Sequence, residues 1–370
     1  MRRVILALAL LLGLMSSLVL PYTAVAQSNE SAAAEAALNW MRSQQQPDGS
    51  FPGFGPGETA DAVLAFAAAG VDPNGIINNG NSPVSYLGNQ AGSYATRSVG
   101  AASKLTLAVV AAGKSPVGFG GVNLPALIGQ SYNASTGQYG ADVFSHSLAL
   151  LAIRSMGATP PEAAVNRLVS LQLADGGWSF DGTAASGSDT NTTALAMQAL
   201  SSVGNQGRSI SLSLGYLSRT QNSDGGFAYQ AGGDSDANST ALVRQAIAAA
   251  NVLDNAEWNK AGGTPLSALL ALQNSSGAFR YQQAVADDNG LATYQAVPGL
   301  LAKPLPVVTT NVPEAQAAIA PAPAPTAPTT PAPVRLPTTG GADSPALPLA
   351  LLALALLAGG FVLRRGRGRR

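Results

Sequence analysis

The chain has 370 residues, 46% hydrophobic and only 11% charged, with no cysteine and a single histidine. Disulfides, thiolate metal sites and cysteine nucleophiles are therefore excluded. The formal net charge of zero conceals an imbalance: seven of the 20 basic residues sit at the two ends, and Asp343 is the only acid there. The remainder carries 13 basic and 19 acidic residues, an acidic balance that gives no support for binding nucleic acid or an anionic membrane.

The chain opens Met1-Arg2-Arg3, followed by an apolar run from Val4 to about Leu20 and by Ala24-Val25-Ala26. A charged start, an apolar stretch and an A-x-A site are the parts of a secretory signal peptide, expected over residues 1–26. Residues 27–303 follow as one unit, long enough to bury a substantial core.

That unit is built of repeats. Val165 to Gln172 followed by Asp175-Gly176-Gly177-Trp178 matches Leu214 to Gln221 followed by Asp224-Gly225-Gly226-Phe227. The frame recurs at Ala37 to Gln46 with Asp48-Gly49-Ser50-Phe51, and at Leu266 to Gln273 with Gly277-Ala278-Phe279. Two weaker copies run from Tyr86 to Gln90 with Gly92-Ser93-Tyr94, and from Leu124 to Gln130 with Gly137-Gln138-Tyr139. The closing aromatics Phe51, Tyr94, Tyr139, Trp178, Phe227 and Phe279 lie 43, 45, 39, 49 and 52 residues apart, which makes six units. Each unit continues into an alanine-rich segment such as Thr193 to Leu200 or Thr240 to Ile247. The first segment of a unit is apolar on one face and reads as an outer helix. The second is small and apolar nearly all round and reads as an enclosed inner helix. Asp, Asn, Ser and Thr before the alanines read as N-caps.

These units resemble the QW repeats of the terpenoid cyclase and prenyltransferase superfamily. The resemblance implies an all-α, six-hairpin α6/α6 toroid with inner and outer helix rings. It also implies that Gln172, Trp178 and their counterparts are scaffold that binds neighbouring helices together. Squalene-hopene-type cyclases of this superfamily carry D-x-D-D-T-A at an inner helix start, and the middle Asp protonates an alkene. The matching run here is Asp189-Thr190-Asn191-Thr192-Thr193-Ala194, with Asn191 at the donor place; the next repeat reads Asp236-Ala237-Asn238-Ser239-Thr240-Ala241. An amide cannot supply that proton. Protein prenyltransferases bind zinc through Asp, Cys and His, and complement-like toroids use a Gln–Cys thioester; without cysteine neither chemistry is open. No P-loop, Rossmann fingerprint or nucleophile elbow accompanies His146 or any other residue.

The starts of the inner helices bring polar groups to one mouth. Glu58, Asp61, Asp142, His146, Asp189, Asn191, Thr193, Asp236, Asn238, Thr240, Asp288 and Asn289 are the candidate ligand-binding residues. Helix capping accounts for many of them equally well. His146 stands where the fourth repeat has Thr193. Asp234-Ser235-Asp236-Ala237-Asn238 mimics the start of a calcium loop but lacks its glycine and distal Glu. No catalytic residue, metal or cofactor is expected. The leading reading is a non-catalytic surface module that captures a small amphiphilic ligand or a surface partner. Three alternatives remain: a cyclase-like enzyme using Asp189, Asp236 or Asp288; a cobalamin binder, since Thr190 to Leu200 resembles the inner helices of the transcobalamin family; and a structural or adhesive module.

Residues 304–335 are mostly Pro, Ala, Val and Thr and read as a disordered, extended stalk. Residues 336–370 contain Leu336-Pro337-Thr338-Thr339-Gly340, an apolar segment from Ala346 to Leu363 and five arginines. Motif, spacer, apolar span and basic tail together resemble the LPxTG sorting signal of bacterial surface proteins. The resemblance implies cleavage between Thr339 and Gly340 by a sortase partner and attachment to the cell envelope, with a transmembrane segment before cleavage.

Overall fold

The computed structural model describes residues 29–204 and 207–319, all within one compact unit. The expected signal peptide, sorting motif and membrane segment lie outside the described residues. No helix among the described residues is long and apolar enough to cross a membrane.

Thirteen α-helices are described. Six of them, α2 (Pro56–Ala68), α4 (Val99–Ala111), α6 (Val143–Ser155), α8 (Thr190–Ser202), α10 (Ala237–Ala249) and α12 (Gly290–Leu300), are the alanine-rich segments. Each packs against the next, and α12 packs back on α2, closing an inner ring. Outside them stand α1 (residues 29–44), α3 (Pro83–Ala95), α5 (Leu124–Gln130), α7 (Glu162–Ser170), α9 (Gly207–Thr220) and α11 (Pro265–Leu270). The six-hairpin toroid is the observed fold. Two short antiparallel hairpins flank α5, β1 (Val117–Phe119) with β2 (Val122–Asn123) and β3 (Tyr132–Asn133) with β4 (Gln138–Tyr139).

The repeat motif explains how the rings hold together. In the fourth unit the Gln172 amide donates to Gly176 O of its own turn at 2.8 Å and to Ser209 O and Ser213 Oγ of the fifth unit's outer helix at 3.0 and 3.2 Å. Gln221 does the same with Gly225 O and with Trp258 O at the entry to the sixth unit. Gln45 reaches Ile76 O and Asn81 O of the second unit. Gln273 closes the circle, donating to Gly277 O and to Ala33 O of α1, 240 residues away in sequence. The turn glycine is required at the same seam. Gly277 has φ +92, and a Cβ there would lie 2.5 Å from Ala36 O. Replacing Gln273 with alanine strips a partner from two part-buried carbonyls and weakens the seam between the first and sixth units. A loss of about 1–3 kcal/mol is expected in urea unfolding. An unchanged midpoint would show that the seam holds without it.

The aromatic of each turn is tied to the inner helix by a second bond. The backbone N–H groups of Phe51, Trp178, Phe227 and Phe279 donate to the hydroxyls of Thr59, Thr193, Thr240 and Thr293 at 2.9–3.1 Å. Each threonine lies four residues after its helix cap, so the turn always meets the same face of the inner helix.

Two expectations need correction. Gly92-Ser93-Tyr94 is not a turn: it lies within α3, which runs to Ala95 and passes to α4 through three residues. The second unit therefore has no aromatic latch, and Ala102 stands where the other inner helices carry Thr or His. In the third unit Gln130 is exposed, and Gln138 makes the joint instead, accepting from Arg167 Nε on α7 at 3.0 Å.

The globular unit also extends past residue 303. Residues 303–319, ending in α13 (Pro313–Ile319), cross the C-terminal ends of the inner helices as a strap. Gln245 Nε2 donates to Lys303 O, and Leu305 N donates to Gln198 Oε1. Thr310 N and Val312 N donate to Ser155 O and Met156 O at the end of α6, and α13 packs on α5. The composition of 304–319 suggests a free stalk, yet the exposed C-terminal carbonyls of α6 and two buried glutamines give this stretch partners.

Candidate functional site

The mouth is built from the inner-helix N-termini and the loops before them. Asp142, Asp189 and Asp236 each accept from the backbone N–H three residues on, at 2.6–2.7 Å, and Asn289 does so at 2.9 Å. The first N–H of α6, α8 and α10 is taken by the loop of the following unit, through Phe180 O, Tyr229 O and Tyr281 O. These helix ends are thus satisfied by side chain and loop together, and Asp142, Asp189, Asp236 and Asn289 are caps.

Burial marks two of the caps. Asp189 and Asp236 are each 1% exposed. Loss of water raises both carboxyls to about 6, although backbone and hydroxyl hydrogen bonds pull the other way. The hydroxyl three residues on stands beside each carboxylate: Asp236 Oδ2 accepts from Ser239 Oγ at 2.8 Å, and Thr192 holds the same place at Asp189.

His146 belongs to the latch. Its Nδ1 accepts from Tyr139 N at 3.0 Å, so Nε2 carries the proton and faces Ala164 O at 3.0 Å. The imidazole replaces the threonine hydroxyl of the other units. Burial, with a smaller contribution from Arg167, lowers its pKa to about 4 against the favourable bond to Ala164 O. Thr193, Thr240 and His146 therefore face the turns rather than the interior of the ring. Asp288 is engaged at the surface by Asn274 Nδ2 and Ser276 Oγ.

Helical periodicity identifies what faces the lumen. At about 100° per residue, positions two and six after the cap lie about 160° from the latch position, four after the cap. Latch residues point outward, so the second and sixth positions point inward. At the sixth position around the ring stand Asp61, Lys104, Leu148, Leu195, Leu242 and Gln295. The packing bears out the geometry: Lys104 Nζ meets Asp61 Oδ2 at 2.7 Å across α2 and α4, and Asn238 Nδ2 donates to Gln295 Oε1 at 2.7 Å across α10 and α12. Lys104 keeps 25% of its side chain open, and the Asp61 carboxylate, with Tyr94 and Glu58 nearby, keeps it protonated against the cost of burial. Glu58 stands half-buried on the same helix. One arc of the lumen is therefore polar, Gln295–Asp61–Lys104, and the opposite arc is leucine. Position nine after the cap, again inward, is Gln198 on α8 and Gln245 on α10, and both hold the strap that floors the ring.

Of the sequence candidates, the structure brings Asp61, Asn191 and Asn238 to the lumen, with Glu58 beside them. Lys104, Gln295 and Gln198 were missed. Lys104 carries no motif, and its role is legible only by counting from its cap, Ser98. Asp234, Asp236 and Asn238 do not converge: Asp234 O accepts from Gln282, Asp236 caps α10 and Asn238 pairs with Gln295. No cluster of three or more acidic or histidine side chains able to hold a metal occurs among the described residues. A cleft of about 350 Å³ lies outside the ring between the fifth and sixth units, lined in part by Asp224, Ser235 and Ser267. Its one carboxylate is spent on its own turn, accepting from Gly226 N and Ser235 Oγ.

The model of the prenyltransferase alpha-alpha toroid domain matches residues 6–72 and 101–263. The chain belongs to this family. The unmatched stretch 73–100 covers α3, the outer helix of the unit without a latch. The toroid resembles solved structures at the level of fold. A tyrosine-to-phenylalanine variant of the type II terpene cyclase MstE from Scytonema, in apo form, is 14% identical with a TM-score of 0.57, covering 75% of this chain and 97% of that one. An arginine-to-alanine variant of MstE bound to its substrate, geranylgeranyl dihydroxybenzoate, gives 14% and 0.57 with 75% and 98% covered. A protein from Actinoplanes gives 14% and 0.53 with 74% and 98% covered. No curated protein matches the chain by sequence. The LPXTG cell wall anchor motif matches residues 328–368, including Leu336, Pro337, Thr339 and Gly340. The toroid is therefore part of a bacterial cell-surface protein anchored to the cell wall, and the motif implies sortase processing.

Proposed function

We propose that this wall-anchored toroid is a non-catalytic receptor that holds a small amphiphilic molecule in its lumen. The carrying observation is the division of the inward sixth positions into a polar arc, Gln295–Asp61–Lys104, and an apolar arc, Leu148–Leu195–Leu242. A concave space with apolar walls and a few placed polar groups is what ligand sites share. The distance from the second to the ninth inward position is seven residues, about 10 Å of depth. The mouth stands at one end of this inward stripe, and the strap crosses the other.

Absence of chemistry is supported by Asn191, the amide at the place where the resembling cyclases have their acid. The neighbouring Asp189 is committed as a helix cap, accepting from Thr192 N at 2.7 Å. Among the described residues no second module stands beside the mouth to complete a corrin site, so the lumen alone defines the ligand class.

Native mass spectrometry of the chain ending at Thr339, the form that cleavage of the sorting motif leaves, tests this reading. Offered a panel of long-chain alcohols, acids and isoprenoids, it should retain one molecule of unchanged mass per chain. The double variant Asp61→Leu with Lys104→Leu should keep its fold, since an apolar pair can replace a buried ion pair, but lose the adduct's dependence on the polar end. A bare mass with every member of the panel rejects binding, and release of a molecule of altered mass rejects a non-catalytic role.

A further inference from the structure

The start of α8 differs from the start of α10 in a way the fold does not require. In α10 the inward Asn238, two after its cap, pairs with Gln295, six after the cap of α12. In α8 the equivalent residue is Asn191, and the equivalent place on α10 is Leu242. Leucine offers the Asn191 amide no polar partner, and Asn191 Oδ1 has none although the residue is only 9% exposed. In the fifth unit Gln295 Oε1 accepts from Asn238 Nδ2 and so engages the equivalent amide. Leaving a buried polar atom without a partner costs about 1–3 kcal/mol. Asn191 is the residue of this turn that the helical period directs inward, and its Oδ1, beside leucine, is an acceptor that calls for a donor.

We propose that the Asn191 side-chain amide receives the hydroxyl group of a hydrophobic alcohol whose apolar body lies along Leu195 and Leu242. This rests on the lumen-binding reading above and adds a polar contact on α8, apart from the arc of Asp61 and Lys104. A hydroxyl fits the atom present: it has a hydrogen to give to Asn191 Oδ1. An ammonium would carry a full charge in among the leucines, where its desolvation opposes binding. A carboxylate would be repelled by Asp189. Deeper in the same stripe, Gln198 Nε2 is a fully buried donor without a partner, seven residues from Asn191 and about 10 Å along the axis. It sets where an acceptor further along the ligand would be met.

The test uses the chain ending at Thr339 and two matched probes, decanol and its methyl ether, titrated by calorimetry. The ether keeps the apolar body and an acceptor oxygen but has no hydrogen to give. The native chain should bind decanol about tenfold more tightly than the ether. Leu242→Gln should supply Asn191 with the partner that Gln295 gives Asn238 and reduce the ratio towards one. Asn191→Leu should do the same by removing the amide, which decides the matter if the Gln variant does not fold. Equal binding of alcohol and ether by the native chain overturns the hydroxyl site but leaves lumen binding standing. A preference that survives in Asn191→Leu overturns it as well. Binding of neither probe rejects the site together with the lumen reading.

Discussion

Replacing Trp178 with alanine is expected to cost about 3–5 kcal/mol. Trp178 is fully buried at the turn between α7 and α8. Its indole Nε1 donates to Leu168 O at 2.8 Å, and its backbone N–H is held by Thr193 Oγ1. Alanine removes the ring, leaves a cavity between the inner and outer helices, and takes the indole bond from Leu168 O. Against a total stability of about 5–15 kcal/mol the loss is a large fraction. Trp178→Phe separates the two contributions. Phenylalanine occupies this place in the fifth and sixth units, so most of the packing survives and the missing indole bond accounts for about 1–2 kcal/mol. Urea unfolding measures both. An alanine variant as stable as the phenylalanine one would mean that the turn aromatic does not bind the rings together.

The second large effect is a pH dependence from His146. Its folded pKa, about 4, lies below the ordinary 6.5. Protonation would place a hydrogen on Nδ1, which accepts from Tyr139 N in the fold. The group therefore contributes stability that is present above pH 6.5 and lost as pH falls towards 4, about 3 kcal/mol across the whole interval. Asp189 and Asp236 act in the opposite sense. Their folded pKa of about 6 exceeds the ordinary 3.8, so acidification through 6 relieves two buried charges. The native acid profile is the sum of these and is a poor guide to any one of them. The comparison with His146→Thr isolates the histidine, because threonine is what the latch uses in four other units. The variant should be less stable than the native chain at pH 7.5, having lost the bond to Ala164 O and some packing. The gap should narrow by about 2 kcal/mol at pH 5, where only the native chain bears the histidine penalty. A gap that is the same at both pH values would show that His146 does not stay neutral in the fold.

The parts of the architecture that rest on repetition were legible from sequence. Gln172, Gln221 and Gln273 and the aromatics Trp178, Phe227 and Phe279 occur at fixed offsets because each bonds the same carbonyl or hydroxyl of the neighbouring unit. Where the joint uses other atoms the pattern misleads. Gly92-Ser93-Tyr94 imitates a turn but continues a helix, since no threonine waits at position 102 to receive it. The strap was hidden for a different reason. Its attachment to Ser155 O and Met156 O is through backbone N–H groups, which every non-proline residue has. The composition of residues 304–319 therefore says nothing about them.

The candidate site was legible in part. Polar residues at helix starts were recognised, but cap, latch and inward positions are one to four residues apart and share the same residue types. Asp189, Thr193 and Asn191 look alike in a list of polar residues and face three different ways in the fold. Once a cap is fixed, the 3.6-residue period separates them and also finds Lys104 and Gln295, which no motif announces.

The most direct measurement of the central claim is a crystal structure of the chain ending at Thr339 grown with decanol. The account predicts ordered density inside the inner ring, its oxygen at Asn191 and its chain between Leu195 and Leu242 above the strap. Density confined to the outer cleft beside Asp224, or a lumen filled by water alone at saturating alcohol, would contradict it.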